Sequence, residues 1–402
     1  MISVHDALSC ILEISKLQNR IQKNLAESFG YVLAEDVFAD RDYPPFNRAA
    51  VDGYAVNYEE IKKGKITFPV SQVIHAGQAN DEPCKQDHCI KIMTGASVPE
   101  NATALFKVED CKVNGDTVEL PVSTAREWLN IDRKGQVYKE RELILKAGNL
   151  VDISTVNALA SVGKNQLNVY QKLSISIIST GNEIVDVDTQ PLHYQIRDSN
   201  YYALLYGLRN LGISVFSHER ADDDLSELTR AVESGLKSDV LLITGGVSMG
   251  DADFIPKILQ ECAVEQIFHK VKMKPGKPLW FGKTKENKNG KSTTVFGIPG
   301  NPYSVMVTFK VFIEPFLRKS YGAKPQASLK LPLIEERQKR GDRPEYFLVK
   351  MVNTKEGTAL EPVSHKGSGD INAGVSTDGI AFHPQAQQKV KAGEVVEFIP
   401  WR

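Results

Sequence analysis

Residues 244–254 read TGGVSMGDADF and follow directly on the apolar run DVLLI at 239–243. A short, unbroken apolar run that ends in glycine is the pattern of a strand buried on both faces. Three glycines and a serine within residues 244–250 then offer bare main-chain N–H groups, and Asp251 and Asp253 add carboxylates beside them. An anion cradle with acids next to it is the chemistry this stretch suggests. Its neighbours decide the fold that carries it.

From residue 173, strand and helix patterns alternate. LSISIIS is followed by SNYYALLYGLRNLG, ISVFSHE, DLSELTRAVESG, DVLLITGG, FIPKILQEC, TTVFGIPG and PYSVMVTFKVFIEPFLRKS. Buried strands alternating with amphipathic helices predict a doubly wound parallel sheet of roughly 150 residues. The segment LWFGKTKENKNGKSTTVFG reads as a hairpin added to that sheet, its loop lysines solvated. Ligands of such sheets bind beyond the carboxyl ends of the strands.

Upstream, HDALSCILEIS and NLAESFGYVLAEDV carry apolar residues at helical spacing. Residues 44–128 change to short β-type runs broken by Gly, Pro, Asn and Asp, with KVNGDTVEL a hairpin on its Asn-Gly turn. Helical spacing returns in DISTVNALASVG at 152–163, so the β-rich stretch is an insert in a discontinuous helical part. After about residue 325, ASLKLPLIEE, RPEYFLVKMVN, TALEPVS and KVKAGEVVEFIP form a β-only unit.

Composition excludes several classes of partner. The 402 residues are 42% hydrophobic and 25% charged, with a formal net charge of -1, which gives no general attraction to nucleic acid or an anionic membrane. The start MISVHDALSC lacks a basic segment followed by an apolar one, and no apolar run approaches the roughly 18 residues of a membrane helix. The expectation is a cytoplasmic protein. Five cysteines at 10, 84, 89, 111 and 262, with no second pair at zinc-site spacing, read as reduced structural thiols.

The expected ligand edge has one character throughout. STGNE (179–183), TGGVSMGDAD and IPGNPYS (298–304) leave strands through glycine, and KVKMKPGKPLWFG (270–282) places Lys270, Lys272, Lys274 and Lys277 within eight residues. Glycine admits close backbone approach, helix starts favour anions, and the prolines stiffen the loops. Glu183, Asp222, Asp251 and Asp253 also follow strands. Carboxylates beside an anion site call for a cation, and Mg²⁺ takes a few carboxylates plus phosphate oxygens. For Asp222 through Asp224, helix capping and metal binding both stand open.

These motifs resemble the molybdopterin molybdenumtransferase family, the molybdate-inserting enzymes of molybdenum cofactor synthesis, related to the gephyrin E domain. The resemblance covers essentially the whole chain. It rests on YPPFNRAAVDGYAV (43–56), IMTGASVPENATALFKVED (92–110), STGNEIV, QIRDSN (195–200), GGVSMGDADF, MKPGKPLWFG and GIPGNPYSV, in the family's order. It implies a multidomain α/β fold. A discontinuous helical linker domain spans 1–43 and 129–170, a β-rich insert domain 44–128, a doubly wound parallel-sheet molybdopterin-binding domain 171–324, and a C-terminal β-barrel-like domain 325–402. It further implies a homodimer, contacts with other molybdenum cofactor biosynthesis proteins, and the Mg²⁺-dependent reaction of adenylyl-molybdopterin with molybdate to give molybdenum cofactor and AMP.

Carried over residue by residue, the resemblance assigns Asp52, Thr94, Glu183, Asp222 and Asp253 to catalysis, with Asp222 and Asp253 also on the metal. It assigns Gly181, Asp198, Ser199, Gly245, Gly246, Ser248, Pro299, Gly300 and Pro302 to the pterin ligand, and Lys270, Lys274, Lys277, Arg343 and Ser368 to molybdate. No Ser-His or Cys-His pair suited to a covalent intermediate stands out, so displacement by water or a molybdate oxygen is expected.

The chain departs from the family at its acids. Gly135-Gln136-Val137 stands for GED, Asp132 for an arginine, Asn47 for the Asp of FDxSA, and Asn182 for the Asp of TGDE. An active insertase is the leading reading. A non-catalytic binding or scaffolding paralogue would keep the glycine loops and lysines while lacking GED. An adenylylating relative would carry GGTG, against which Gly245-Gly246-Val247-Ser248 speaks. Replacing Asp253 with Asn is expected to abolish turnover while the circular-dichroism melt stays unchanged; undiminished turnover would remove Asp253 from the chemistry.

Overall fold

The computed structural model describes all residues except 79–81, 248–253, 289, 327 and 402. Two compact units emerge: Met1–Ala34, Gly148–Asp152 and Gln166–Arg402 form one, Glu35–Ala147 and Ile153–Asn165 the other.

The larger unit is built on a six-stranded sheet. In chain order, β1 (Ile175–Thr180) leads to α1 (Ser199–Asn210), β2 (Val215–Ala221), α2 (Leu225–Gly235), β3 (Val240–Thr244), α3 (Ile255–Glu261), β4 (Val264–His269), β5 (Trp280–Thr284), β6 (Thr294–Ile298) and α4 (Pro302–Thr308). The sheet order is β2-β1-β3-β6-β5-β4. The first four strands are parallel; β5 and β6 form the antiparallel hairpin the sequence predicted, and β4, not read as a strand from the sequence, adds antiparallel to β5. The unbroken apolar run in β3 has a simple cause: Val240 and Leu242 face one core with α1 and α4, while Leu241 and Ile243 face a second core with α2 and α3. Both faces are covered, so strand periodicity disappears.

The helix Val4–Ile14 buries Ala7 and Ile11 in the first of these cores and is capped by the Ser3 hydroxyl. The second N-terminal stretch is not the helix its spacing predicted. Arg20–Asn24 is a strand paired antiparallel with Gln166–Tyr170, followed by a single 3₁₀ turn, and Gly30 sits at φ +74°. Long-range pairing, with Leu33 bridged to Val169, goes with burial of Val32, Leu33 and Ala34, while Phe29 stays exposed.

The C-terminal part is a five-stranded antiparallel sheet of β7 (Leu329–Pro332), β8 (Glu345–Thr354), β9 (Gly357–Pro362), β10 (Gly379–His383) and β11 (Val395–Pro400), ordered β7-β11-β10-β8-β9. A bridge between Leu333 and Leu360 draws its outer strands together, curling the sheet toward a barrel. The central strand β10 was not foreseen from the sequence. Tyr346, Leu348 and Ile380 of this sheet share the core of the parallel sheet.

The smaller unit carries a six-stranded sheet whose order runs Ala104–Lys107, Gly53–Val56, Cys89–Ile92, Thr67–Ile74, Thr117–Glu119 and Lys112–Asn114. The last two strands are the expected hairpin. Among the described residues no helix is long and apolar enough to cross a membrane. A Cβ on Gly53 would lie 1.8 Å from the Phe106 carbonyl oxygen, which the sheet cannot yield. Gly53→Ala is therefore expected to destabilise the smaller unit by about 3 kcal/mol, seen as a lowered urea midpoint for its proteolytic protection; an unchanged midpoint would refute the close packing.

Candidate functional site

The carboxyl edge of the parallel sheet is shaped by glycine. Thr180 ends β1 and donates its hydroxyl to the Thr244 carbonyl at the end of β3, 3.1 Å away. Gly245 follows at φ +89° and donates its N–H to the Ile298 carbonyl of β6. A Cβ on Gly245 would sit 2.7 Å from the Thr180 hydroxyl, so the three strand ends meet this closely because the side chain is missing. Gly181, at φ +131°, lets the chain turn so that Glu183 folds back over it.

A cavity of about 950 Å³ opens at this edge. Its walls include Gly181, Glu183, Asp198, Ser199, Asn200, Asp223, Gly245, Gly246, Pro299, Gly300 and Pro302. Of the acids following β2, it is Asp223 and not Asp222 that lines the cavity, while Asp224 is the N-cap of α2, accepting from the Ser226 and Glu227 amides. Asp222 donates its N–H to Glu227 at 3.4 Å. Ser248 and Asp253 lie outside the described residues.

At the base of this cavity Asp198 caps α1, accepting the Tyr201 N–H at 2.9 Å. Burial pushes its carboxyl up, but contacts with His218 and Ser179 and the Tyr201 amide outweigh that and hold it below the usual carboxylate range. His218 stacks on Tyr201 with ring centroids 3.6 Å apart. A Ser-His pair absent from the sequence reading thus forms between Ser179 and His218, at 3.2 Å. The same Nε2 atom also faces Asp198, at 3.5 Å, so the ring cannot bridge hydroxyl and carboxylate as in a relay.

A second cavity of about 520 Å³ shares Pro278, Pro299 and Asn301 with the first. Among the described residues, Lys274, Lys277, Arg337, Arg340 and Arg343 line it against one acid, Glu345, a formal balance of +4 from five cations and one anion. Ser368 closes it: the Asn301 amide donates to its hydroxyl at 3.0 Å, and the Tyr303 N–H to its carbonyl at 3.1 Å. The loop of lysines is fastened by the Lys274 N–H to the Pro344 carbonyl (3.0 Å) and by the Tyr346 N–H to the Lys274 carbonyl (2.8 Å). Lys270 lines neither cavity; it is held at φ +74° with its N–H on the Leu279 carbonyl. Arg337, Arg340, Asn301, His365 and Glu345 were not singled out from the sequence. For Arg337, Arg340 and Glu345 the charged run EERQKRGDRPEY at 335–346 was the visible trace, and Asn301 stands in the loop IPGNPYS.

In the smaller unit, Asp52 accepts both the N–H (2.7 Å) and the hydroxyl (2.6 Å) of Thr94. The hydroxyl bond, then the amide bond, holds the Asp52 carboxyl below its ordinary value. In the stretch Gly135-Gln136-Val137, Gln136 accepts the Arg133 amide and Val137 is 62% exposed. Asp132 and Arg48 form an ion pair at 2.8 Å. Among the described residues no group of three His, Cys, Asp or Glu side chains converges as a ready metal site.

Fold and cleft together define a multidomain α/β protein of the doubly wound class, with its cleft at the carboxyl edge of the sheet. The chain matches the MoeA N-terminal region (domain I and II) over residues 2–163, a probable molybdopterin binding domain over 176–319, and the MoeA C-terminal region (domain IV) over 330–401. It is 30% identical to a molybdopterin molybdenumtransferase of Synechocystis sp., with 93% of each chain covered. A molybdopterin molybdenumtransferase of Staphylococcus epidermidis is 29% identical, over 99% of this chain and 95% of that one. The crystal structure of molybdopterin biosynthesis moea protein from Pyrococcus horikosii superposes with a TM-score of 0.80 at 28% identity, over 100% of this chain and 99% of that chain. The chain belongs to the molybdopterin molybdenumtransferase family.

Thr94→Val keeps the main-chain donor to Asp52 and removes the hydroxyl. The Asp52 carboxyl is expected to titrate at higher pH in this variant than in the native chain, measured by carbon-13 NMR; coincident titrations would show that the hydroxyl bond carries no weight.

Proposed function

We propose that the chain acts in molybdenum cofactor biosynthesis as a transferase that inserts molybdenum, converting adenylyl-molybdopterin and molybdate to molybdenum cofactor and AMP. The observation that carries this reading is the pair of cavities joined at Pro278, Pro299 and Asn301. One is small and rich in cations, suited to a compact dianion. The other is larger, walled by glycine main chain, and suited to a phosphorylated ligand beside it.

In this reading molybdate lies in the smaller cavity among Lys274, Lys277, Arg343 and the Ser368 hydroxyl, and the pterin nucleotide extends into the larger one along Gly181, Gly245, Gly246 and Gly300. Cavities that share Pro278, Pro299 and Asn301 support a reading in which the two substrates bind side by side. The anhydride bond to AMP breaks by attack of water or a molybdate oxygen, since the buried Ser179, 1% exposed, is poorly placed as a nucleophile. Glu183 and Asp223 line the larger cavity without an ion-pair partner among the described residues, and two carboxylates plus ligand oxygens suit Mg²⁺. Mg²⁺, when bound there, neutralises charge on the breaking anhydride. The homodimer, the cytoplasmic location and contacts with other cofactor biosynthesis proteins belong to the same proposal.

One observation favours a second reading: the exposed Val137 stands where the family has an acid, which fits a paralogue that binds without turning over. A single-turnover assay with adenylyl-molybdopterin, Mg²⁺ and molybdate separates the two. Molybdate-dependent release of AMP is expected; tight binding of the nucleotide with no AMP released would favour the paralogue.

A further inference from the structure

Glu345 is a carboxylate in the wall of an otherwise cationic cavity, and it is 5% exposed. Its two oxygens are divided between two cations. Oε1 accepts from the Lys274 ammonium at 3.0 Å, and Oε2 from Nη2 of Arg337 at 2.7 Å. Arg337 is itself held: Nη1 donates to Nδ1 of His383 at 2.7 Å, and its guanidinium lies over the Phe347 ring, 4.1 Å from the centroid. His383 is fully buried and gives its other ring nitrogen to the Gln387 carbonyl at 2.9 Å. With Nδ1 accepting, Nε2 carries the proton, and burial together with Arg337 keeps the ring neutral. The chain of contacts therefore runs from the buried interior of the β-sheet through His383, Arg337 and Glu345 to the ammonium of Lys274.

A carboxylate next to an anion site opposes the anion by its charge. It aids the anion only if it fixes a donor that would otherwise wander. Lys274 has a side chain 47% exposed and a long flexible stem, so the ammonium needs such an anchor. One of its three protons is engaged by Glu345, and two remain for a ligand.

We infer that Glu345 is a positioning residue that fixes the Lys274 ammonium at the wall of the small cavity for an incoming tetrahedral oxyanion. The inference rests on the oxyanion reading of that cavity proposed above. It makes a prediction opposite in sign to simple charge. Removing the negative charge by Glu345→Gln would strengthen anion binding if the carboxylate were only a charge. Positioning requires that it weaken binding.

The test uses the full chain and molybdate, followed by calorimetric titration, with the rate of Lys274 acylation by an amine reagent read by mass spectrometry. Glu345→Gln and the shorter Glu345→Asp, which keeps the charge, are each expected to weaken molybdate binding about tenfold, as for loss of one charge-assisted hydrogen bond. Both should speed Lys274 acylation at least about threefold, because the amine is released from its partner. In a Lys274→Met background Glu345→Gln should cause no further loss, since the carboxylate acts through the lysine. Equal or tighter molybdate binding by Glu345→Gln overturns the inference, and so does an additive loss in the double variant. If Glu345→Gln does not fold, Glu345→Asp decides by the same criteria. If the native chain binds no molybdate, the oxyanion reading fails and acylation alone decides for Glu345: unchanged rates overturn it.

Discussion

Two main-chain hydrogen bonds, from Lys274 to the Pro344 carbonyl and from Tyr346 to the Lys274 carbonyl, make one residue of the lysine loop an extra rung of the C-terminal sheet. Everything distinctive about the cleft depends on that joint. It places a loop between β4 and β5 of the parallel sheet against β8, and Arg343 adds a bond from its guanidinium to the Met273 carbonyl at 3.3 Å. The two sheets behind it share one core, in which Phe296 and Ile298 pack with Tyr346, Leu348 and Ile380. A cavity bordered by such a joint is pre-formed, and its donors need little reordering when an anion arrives.

Electrostatics at the cleft are divided in space. The cationic side gathers five Lys and Arg residues around one paired acid, while the acids Glu183 and Asp223 border the neighbouring cavity. Buried carboxylates are kept ionised on both sides. For Glu345, burial pushes the carboxyl up but Arg337 and Lys274 bring it below its ordinary value; for Asp198, His218, Ser179 and an amide do the same. In the proposed reading, the cationic side takes the oxyanion and the acids take the cation that the ligand's phosphates call for.

Much of this architecture was readable in the sequence because its signals are local. The strand-helix alternation from β1 to α4 follows from apolar runs and helical spacing, and the glycines at 181, 245, 246 and 300 mark backbone that must approach something closely. Where pairing is long-range, local spacing misled. Residues 24–37, spaced like a helix, form no α-helix: Asn24 pairs with Gln166 and Leu33 with Val169, contacts no local window contains. The strand β10 escaped notice for the same reason: five residues between Asp378 and Pro384 become the centre of a sheet only once β8 and β11 flank them.

The sequence by itself determined the doubly wound domain, the glycine-rich edge, the lysines of the loop 270–278 and the family to which they belong, since each is a pattern of neighbouring residues. Only the tertiary structure decided which charges face the cleft. It turned Asp223 inward rather than Asp222, set Lys270 apart, and added Arg337 and Arg340 from a run that reads as ordinary surface charge. It also paired Glu345 with Lys274, 71 residues away in the chain. The physical reason is that a side chain's neighbours across a sheet are chosen by strand register and loop docking, which are settled by the burial of a whole core and not by the residues beside it in sequence.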